Sequence, residues 1–147
     1  GEALCLHTGT GLRHSELNQS SAPLRLVRMA FSPARPGGAP NYGEQRFLWE
    51  NRVNRWLLLA CAAPEPDSGP LFLSADANVY AADLTCEARL AFPIEPGRQV
   101  YLLVVEGAAE VNGIVLEDGE ALSAFGESLQ LSALPRAHIL LVEAPQY

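Results

Sequence analysis

Short apolar stretches, repeatedly interrupted by turn residues, are the feature that most restricts what this chain can fold into. Asn112-Gly113 lies between two runs of strand-forming residues, and Asn-Gly in that setting is the strongest short-range signal of a β-hairpin. Asp118-Gly119 and Pro96-Gly97 predict two further tight turns. Helical periodicity is scarce, so the sequence predicts an all-β chain.

From about residue 71 onwards, seven or eight short stretches alternate with turns, a pattern typical of an antiparallel sandwich or small barrel. Residues 1 to 62 contain too few such stretches to close a second barrel. The segment Tyr42 to Asn54 fits either a short helix or an ordered loop, and Ser32 to Pro40 and Ala63 to Pro70 predict irregular connections. The predicted strands are Ala3 to His7, Leu24 to Phe31, Trp56 to Ala62, Val79 to Leu84, Ala88 to Phe92, Gln99 to Val105, Ala109 to Val111, Ile114 to Leu116, Ala121 to Ala124, Leu129 to Ala133 and His138 to Val142.

The charge pattern excludes some partners. The formal net charge is −7, and the ten basic residues are all arginines scattered along the chain. This balance argues against nucleic-acid binding through phosphates and against docking on an anionic membrane.

The longest apolar run, Trp56 to Ala63, is too short to span a bilayer, and we expect no signal peptide. The three cysteines, Cys5, Cys61 and Cys86, form no CxxC motif, which predicts buried thiols in a reducing cytoplasm.

Three passages together resemble the pirin family of two-cupin proteins. They are GTGLRHSELN (Gly9 to Asn18), ARPGGAPNYGEQRF (Ala34 to Phe47), and ADANVYAADL (Ala75 to Leu84) followed by PGRQVYLLVVEGAAEVNGIVLEDGEAL (Pro96 to Leu122). The resemblance implies a complete C-terminal cupin, a double-stranded β-helix or jelly-roll-like barrel, over residues 63–147. It implies a partial N-terminal cupin and linker over residues 1–62, in a chain truncated at its N-terminus.

The resemblance also implies a metal site. Pirins hold a single metal, usually iron, in the N-terminal barrel, and several bacterial members oxidise quercetin with dioxygen. The family's four ligands are two histidines of an early His-x-His segment and the histidine and glutamate of a His-Ser-Glu segment. The latter pair matches His14 and Glu16, whereas the His-x-His segment has no counterpart in this chain. Phe92 to Gly107 contains no histidine, so the C-terminal barrel resembles a metal-free structural cupin.

The spacing of His14 and Glu16 has its own chemistry. Residues i and i+2 of a strand point to one face, and imidazole plus carboxylate suits Fe(II), Mn(II) or Ni(II). Glu16 takes a catalytic role only if the site is complete. The alternative is a surface pair after a glycine turn. His7 reads as a solvent-facing or hydrogen-bonding strand residue, and His138 as a satisfied barrel histidine.

Three functions remain open from the sequence. The first is a non-catalytic binding or interaction module. The second is a metal-dependent dioxygenase of quercetinase type, whose site is completed by upstream sequence or by a second subunit. The third is a metal-free binder of a small aromatic ligand that uses Trp56, Phe72 or Tyr101. Because open sheet edges invite pairing, we also expect a homo-oligomer that associates through residues 1–35.

Overall fold

The computed structural model describes residues 1–64 and 69–146 and confirms the all-β fold. The described residues contain no α-helix, and none of their helices is long and apolar enough to cross a membrane. The elements are β1 (Glu2–His7), β2 (Asn41–Arg46), a 3-10 turn (Trp49–Arg52), β3 (Leu57–Cys61), β4 (Leu71–Phe72), β5 (Asn78–Leu84), β6 (Arg89–Phe92), β7 (Arg98–Val111), β8 (Ile114–Leu116), β9 (Ala121–Phe125) and β10 (Leu129–Pro145).

The strands form two sheets. β1 and β2 pair antiparallel as a two-stranded sheet, which we call the hairpin. The other eight strands form one larger sheet in the order β4-β3-β5-β10-β7-β8, with β6 also paired to β10 and β9 also paired to β7. The predicted domain boundary after residue 62 stays a prediction; β3, which precedes it, pairs with β5 inside the larger sheet.

Two long strands close the larger sheet into a barrel. β7 has 14 residues and β10 has 17, and the sequence had predicted each as two separate strands. Each instead continues through a bend. β7 passes Gly107, which has a φ of +85°, and β10 shifts register between Ala133 and Ala137. The bends let β10 pair with β5, β6 and β7 along its length.

Successive side chains along β10 point to opposite faces of the strand and pack into two separate hydrophobic cores. Ile139 and Leu141 are fully buried in the core inside the barrel. Leu140 and Val142 point to the opposite face and pack on a second, outer core. The outer core lies between the barrel wall and the N-terminal segments, so it attaches the hairpin to the barrel. Its buried members are Phe47, Leu59, Ala60, Leu73, Ala75, Ala77, Val79 and Ala81.

Three further predictions were wrong. Leu24 to Phe31 is not a strand: Met29 and Phe31 pack on the outer core, but no neighbouring strand pairs with the segment's backbone, and a strand requires such pairing. Tyr42 to Asn54 is divided between β2 and the 3-10 turn. Cys86 is exposed and Cys5 half-buried, so of the three free thiols only Cys61 is buried.

The connections follow the sequence more closely. Ser32 to Pro40 is irregular, as predicted. In the predicted connection Ala63 to Pro70, residues 65–68 lie outside the described residues. The short strand β4, parallel to β3, was not predicted. The Asn112-Gly113 turn is confirmed, with φ values of +49° and +83°.

Candidate functional site

His14 and Glu16 lie close together in the long connection between β1 and β2. His14 Nε2 is 3.4 Å from Glu16 Oε1, and the two side chains are 38% and 42% exposed. Residues 8–40 contain no strand, so the predicted strand geometry of this pair is wrong. The reason is the one found for Leu24 to Phe31: no adjacent strand supplies backbone partners. The structure brings the pair together in an irregular segment instead.

The glycine turn before this pair is tightly built. Gly9 has a φ of +51°, and a Cβ atom there would lie 2.4 Å from the carbonyl oxygen of Gly38. Thr10 N donates to the same oxygen at 3.0 Å, and Gly11 N donates to Thr8 O at 2.8 Å. Only glycine fits such a close approach at positive φ. The turn therefore fixes where the segment leading to His14 begins.

Glu16 already has a cationic partner. Arg28 Nη2 donates to Glu16 Oε1 at 2.6 Å, and this is the oxygen that faces His14. The pair is solvent-exposed and contributes little stability, since exposed ion pairs are worth about 0–1 kcal/mol. A metal at this oxygen has to displace the guanidinium or use Oε2. In this arrangement His14 and Glu16 have the donor chemistry of half a metal site and do not form a complete one.

No third ligand joins them within the described ranges, where no group of three or more His, Cys, Asp or Glu side chains could hold a metal. His7, on β1, is engaged elsewhere. Its ring stacks on Phe72 with centroids 5.1 Å apart, and its Nε2 lies 3.0 Å from Phe72 O and 3.3 Å from Cys5 Sγ. His7 is therefore a hydrogen-bonding strand residue.

A buried charged cluster, absent from the sequence interpretation, lies on the outer face of the barrel. Asp83 on β5 is 3% exposed and accepts two hydrogen bonds from Arg136, at 2.9 and 2.8 Å. Trp49 Nε1 donates to Asp83 Oδ2, one of the two oxygens that also accept from Arg136, at 2.7 Å. The hydrogen bonds from Arg136 hold the pKa of Asp83 below its usual range. The available signal was an aspartate inside the apolar run VYAADL, because a buried carboxylate needs partners.

His138 belongs to the same cluster. It lies on β10 directly opposite Asp83, with its ring 4.9 Å from that of Trp49 and its Nε2 3.4 Å from Arg52 Nη1. Burial, with a further contribution from Arg52, lowers the pKa of His138. The sequence interpretation of a satisfied histidine in the barrel wall fits this position.

The aromatic side chains suggested for a ligand pocket have separate surroundings. Trp56 packs edge-to-face on Phe92 and Tyr80 at 5.4 and 6.4 Å, against the core inside the barrel. Tyr101 lines a groove of about 210 Å³ beside the segment that carries Arg28. Three aromatic residues were named from the sequence: Trp56, Phe72 and Tyr101. The contacts of the described residues do not place these three side chains around one shared pocket.

A polar network lies where the first residues of β5 and β7 meet the last residues of β10. Glu143 is buried and accepts hydrogen bonds from Asn78 at 2.8 Å and from Arg98 at 3.4 Å. Arg98 also donates to Asp76 at 2.8 Å. The buried Glu143 carboxylate therefore has two partners, which is the arrangement expected of a structural network.

Comparison with known proteins finds a matching cupin family and relatives that are named quercetin 2,3-dioxygenases. The family described as the quercetinase C-terminal cupin domain matches residues 60–144. A Pseudomonas aeruginosa protein provisionally named a quercetin 2,3-dioxygenase is 34% identical over 97% of this chain and 62% of its own length. The quercetin 2,3-dioxygenase of Escherichia coli K12 is 29% identical over 99% of this chain and 62% of its own. The chain thus spans about 62% of these relatives.

Solved structures support the same fold. Escherichia coli YhhW superposes with a TM-score of 0.70 at 22% identity, covering 78% of this chain and 47% of YhhW. The nickel(II) complex of that bacterial pirin gives a TM-score of 0.69 at 22% identity, covering 78% and 48%. At this identity the likeness shows the fold, and it confirms the predicted cupin class.

Proposed function

Because the chain belongs to the pirin-like family of quercetinase-related cupins, we propose that these 147 residues are a non-catalytic binding module that supplies two ligands to a divalent-metal site. The ligands are His14 and Glu16. On their own these two side chains leave the site incomplete, and the ligands that would complete it come from outside these residues, either from preceding sequence or from a second subunit. The observation that carries the proposal is the 3.4 Å approach of His14 Nε2 to Glu16 Oε1 without a strand to enforce it.

The donor chemistry supports this assignment. An imidazole nitrogen and a carboxylate oxygen suit Fe(II), Mn(II) and Ni(II), and a pirin structure in the same fold class contains nickel(II). Two ligands rarely hold a transition metal tightly. Completion of the site gives the alternative function, a dioxygenase of quercetinase type acting on a flavonol-like substrate, with a catalytic role for Glu16. The names of the relatives support that alternative.

The barrel supports a structural role for the C-terminal part. Side chains that point inward from β7 and β10, among them Leu102, Val104 and Ile139, are fully buried against one another. The stretch where other cupins carry histidines, residues 92–107, carries none. We therefore assign the barrel to support and attachment, and the metal chemistry to the N-terminal residues.

Metal binding by the chain alone tests the half-site. We expect elemental mass spectrometry to find metal far below one ion per purified chain. In a Ni²⁺ titration we expect weak binding that His14→Ala or Glu16→Ala weakens by about tenfold or more, since loss of even an outer-shell partner costs about 10–100-fold. His7→Ala is the matched control and leaves the titration unchanged. Stoichiometric metal that survives the double substitution contradicts the assignment.

Self-association is the second part of the proposal. Within the described residues the hairpin strands pair only with each other, so their outer edges are open. The connection between β1 and β2 contains three exposed leucines. Their exposed fractions are 81% for Leu17, 69% for Leu24 and 62% for Leu26. Open edges and exposed apolar side chains favour association with a second copy, which also brings two His14–Glu16 pairs into one assembly.

Sedimentation velocity at micromolar concentration measures this association. We expect a dimer or larger species that dissociates when both Leu24 and Leu26 are replaced with glutamate. Ile114→Glu, at an exposed residue of β8 far along the chain, serves as the control and leaves the assembly intact. A wild-type monomer at that concentration contradicts association through residues 1–35.

A further inference from the structure

The 3-10 turn Trp49–Arg52 connects the hairpin to the barrel and rests on the Asp83 cluster. Trp49 Nε1 donates to Asp83, and Asn54 N, two residues after the turn, donates to Asp83 O at 2.9 Å. The Arg52 guanidinium stacks over the Trp49 ring, with its Cζ atom 4.7 Å from the ring centroid. Arg52 is itself buried, and its Nη1 lies 3.4 Å from His138 Nε2. Beside the hydrogen bonds to Asp83, His138 thus makes a further attachment of the turn, through Arg52 and the Trp49 ring.

Hydrogen-bond chemistry fixes the protonation state that this contact needs. A guanidinium carries five donors and no acceptor, so His138 Nε2 has to accept. A protonated imidazole has no acceptor, because both of its nitrogens carry hydrogen. Acceptance at Nε2 therefore requires a neutral His138 with its proton on Nδ1. Protonation of His138 turns the contact into two donors and two positive charges 3.4 Å apart.

The charges around His138 do not cancel this conflict. Asp83 on β5 and Glu106 on β7 are its register partners, and Arg136 lies two residues away on β10. Both oxygens of Asp83 are already taken by Arg136 and Trp49. Arg52 is buried, and its Nε has no partner among the described residues. With two arginines and two carboxylates around it, a protonated His138 adds a net positive charge to the cluster.

We propose that Trp49, Arg52 and His138 form a pH-sensitive latch that fastens the hairpin to the barrel and loosens when His138 is protonated. The sign follows from linkage. Burial places the pKa of His138 in the folded chain below its ordinary value of 6.5, so the unfolded or open form binds the proton more readily. The latch is complete above pH 6.5 and is weakened as the pH falls from 6.5 towards the folded-state pKa. Acidification thus weakens the attachment of the 3-10 turn, and with it that of the hairpin, to the barrel.

Two NMR measurements test the latch. The first is the pKa of His138, which we expect below 6.5 in the wild type and closer to 6.5 in Arg52→Met, because methionine removes the charge and keeps the bulk. The second is exchange of the Asn54 amide, corrected for its intrinsic pH dependence. We expect its protection to fall severalfold from about pH 7.5 to about pH 5, since each pH unit of pKa difference corresponds to about tenfold in the equilibrium.

His138→Gln is the matched variant, because glutamine offers a neutral acceptor at every pH. Its Asn54 protection should not change over the same range. The latch is overturned if the His138 pKa is 6.5 or higher, if Arg52→Met leaves it unmoved, or if His138→Gln loses protection as the wild type does. If Arg52→Met does not fold, the wild-type pKa and the His138→Gln comparison decide. None of these readouts depends on metal, so they are independent of the proposed half-site.

Discussion

Gly107→Ala is expected to lower the free energy of unfolding by about 3 kcal/mol or more. Gly107 has a φ of +85°, and a Cβ atom there would lie 2.0 Å from the carbonyl oxygen of Arg136. Positive φ costs a residue with a side chain about 1–2 kcal/mol, and overpacking adds about 1–3 kcal/mol. The obstructing atom is backbone at the bend where β7 and β10 pair, so it cannot move aside without disturbing the register.

Urea denaturation of Gly107→Ala beside Gly113→Ala separates the two costs. Gly113 has nearly the same φ, +83°, but nothing lies within 4 Å of an added Cβ. We expect Gly113→Ala to lose only about 1–2 kcal/mol, from backbone strain alone. Equal losses in the two variants would show that the close approach to Arg136 has no energetic consequence.

Asp83→Ala is expected to cost about 2–4 kcal/mol. The substitution leaves the Trp49 N–H without its acceptor and removes two hydrogen bonds from Arg136. Breaking a buried ion pair costs about 3–5 kcal/mol. We expect a smaller loss of stability for Asp83→Ala, because Arg136 is 63% exposed and water can solvate it when its partner is gone. The loss also removes the anchor of the 3-10 turn.

Chemical denaturation at several pH values checks this result. The pKa of Asp83 is lowered by its hydrogen bonds from Arg136, so its stabilisation is present above its ordinary pKa of 3.8 and is lost as the pH falls through its folded-state pKa. The difference between wild type and variant should therefore narrow only below about pH 4. Glu2→Ala is the control: Glu2 lies 4.0 Å from Arg46 at an exposed pair, and we expect a change within about 0.5 kcal/mol. A loss that small for Asp83→Ala contradicts the role of the cluster.

Local chemistry explains which parts of the fold the sequence could predict. The Asn112-Gly113 turn and the neighbouring strands depend on residues adjacent in the chain, and the structure confirms them. The continuity of β7 and β10 through their bends depends on pairing with several other strands. A local stretch of sequence does not contain information about pairing with distant strands. The sequence analysis therefore predicted two short strands in place of each long one.

The candidate site was likewise predictable from the sequence only in part. The family resemblance identified His14 and Glu16, and the structure brings them together. Their expected strand did not form, because strand geometry requires a neighbouring strand that local pattern cannot supply. The Asp83 cluster was missed because Trp49 and Arg136 are 34 and 53 residues away in the chain. Similarly, the Arg28 contact to Glu16 could not be read from residue spacing in an irregular segment.

The half-site is tested most directly by the metal content of a fusion. In this fusion, the part of the Escherichia coli quercetin 2,3-dioxygenase that the chain does not cover, about 38% of that relative, precedes Gly1. If His14 and Glu16 are two ligands of a shared site, elemental mass spectrometry finds close to one metal ion per folded fusion, and His14→Ala with Glu16→Ala removes it. If the double variant keeps the same metal content, or the folded fusion contains none, His14 and Glu16 are not ligands of such a site.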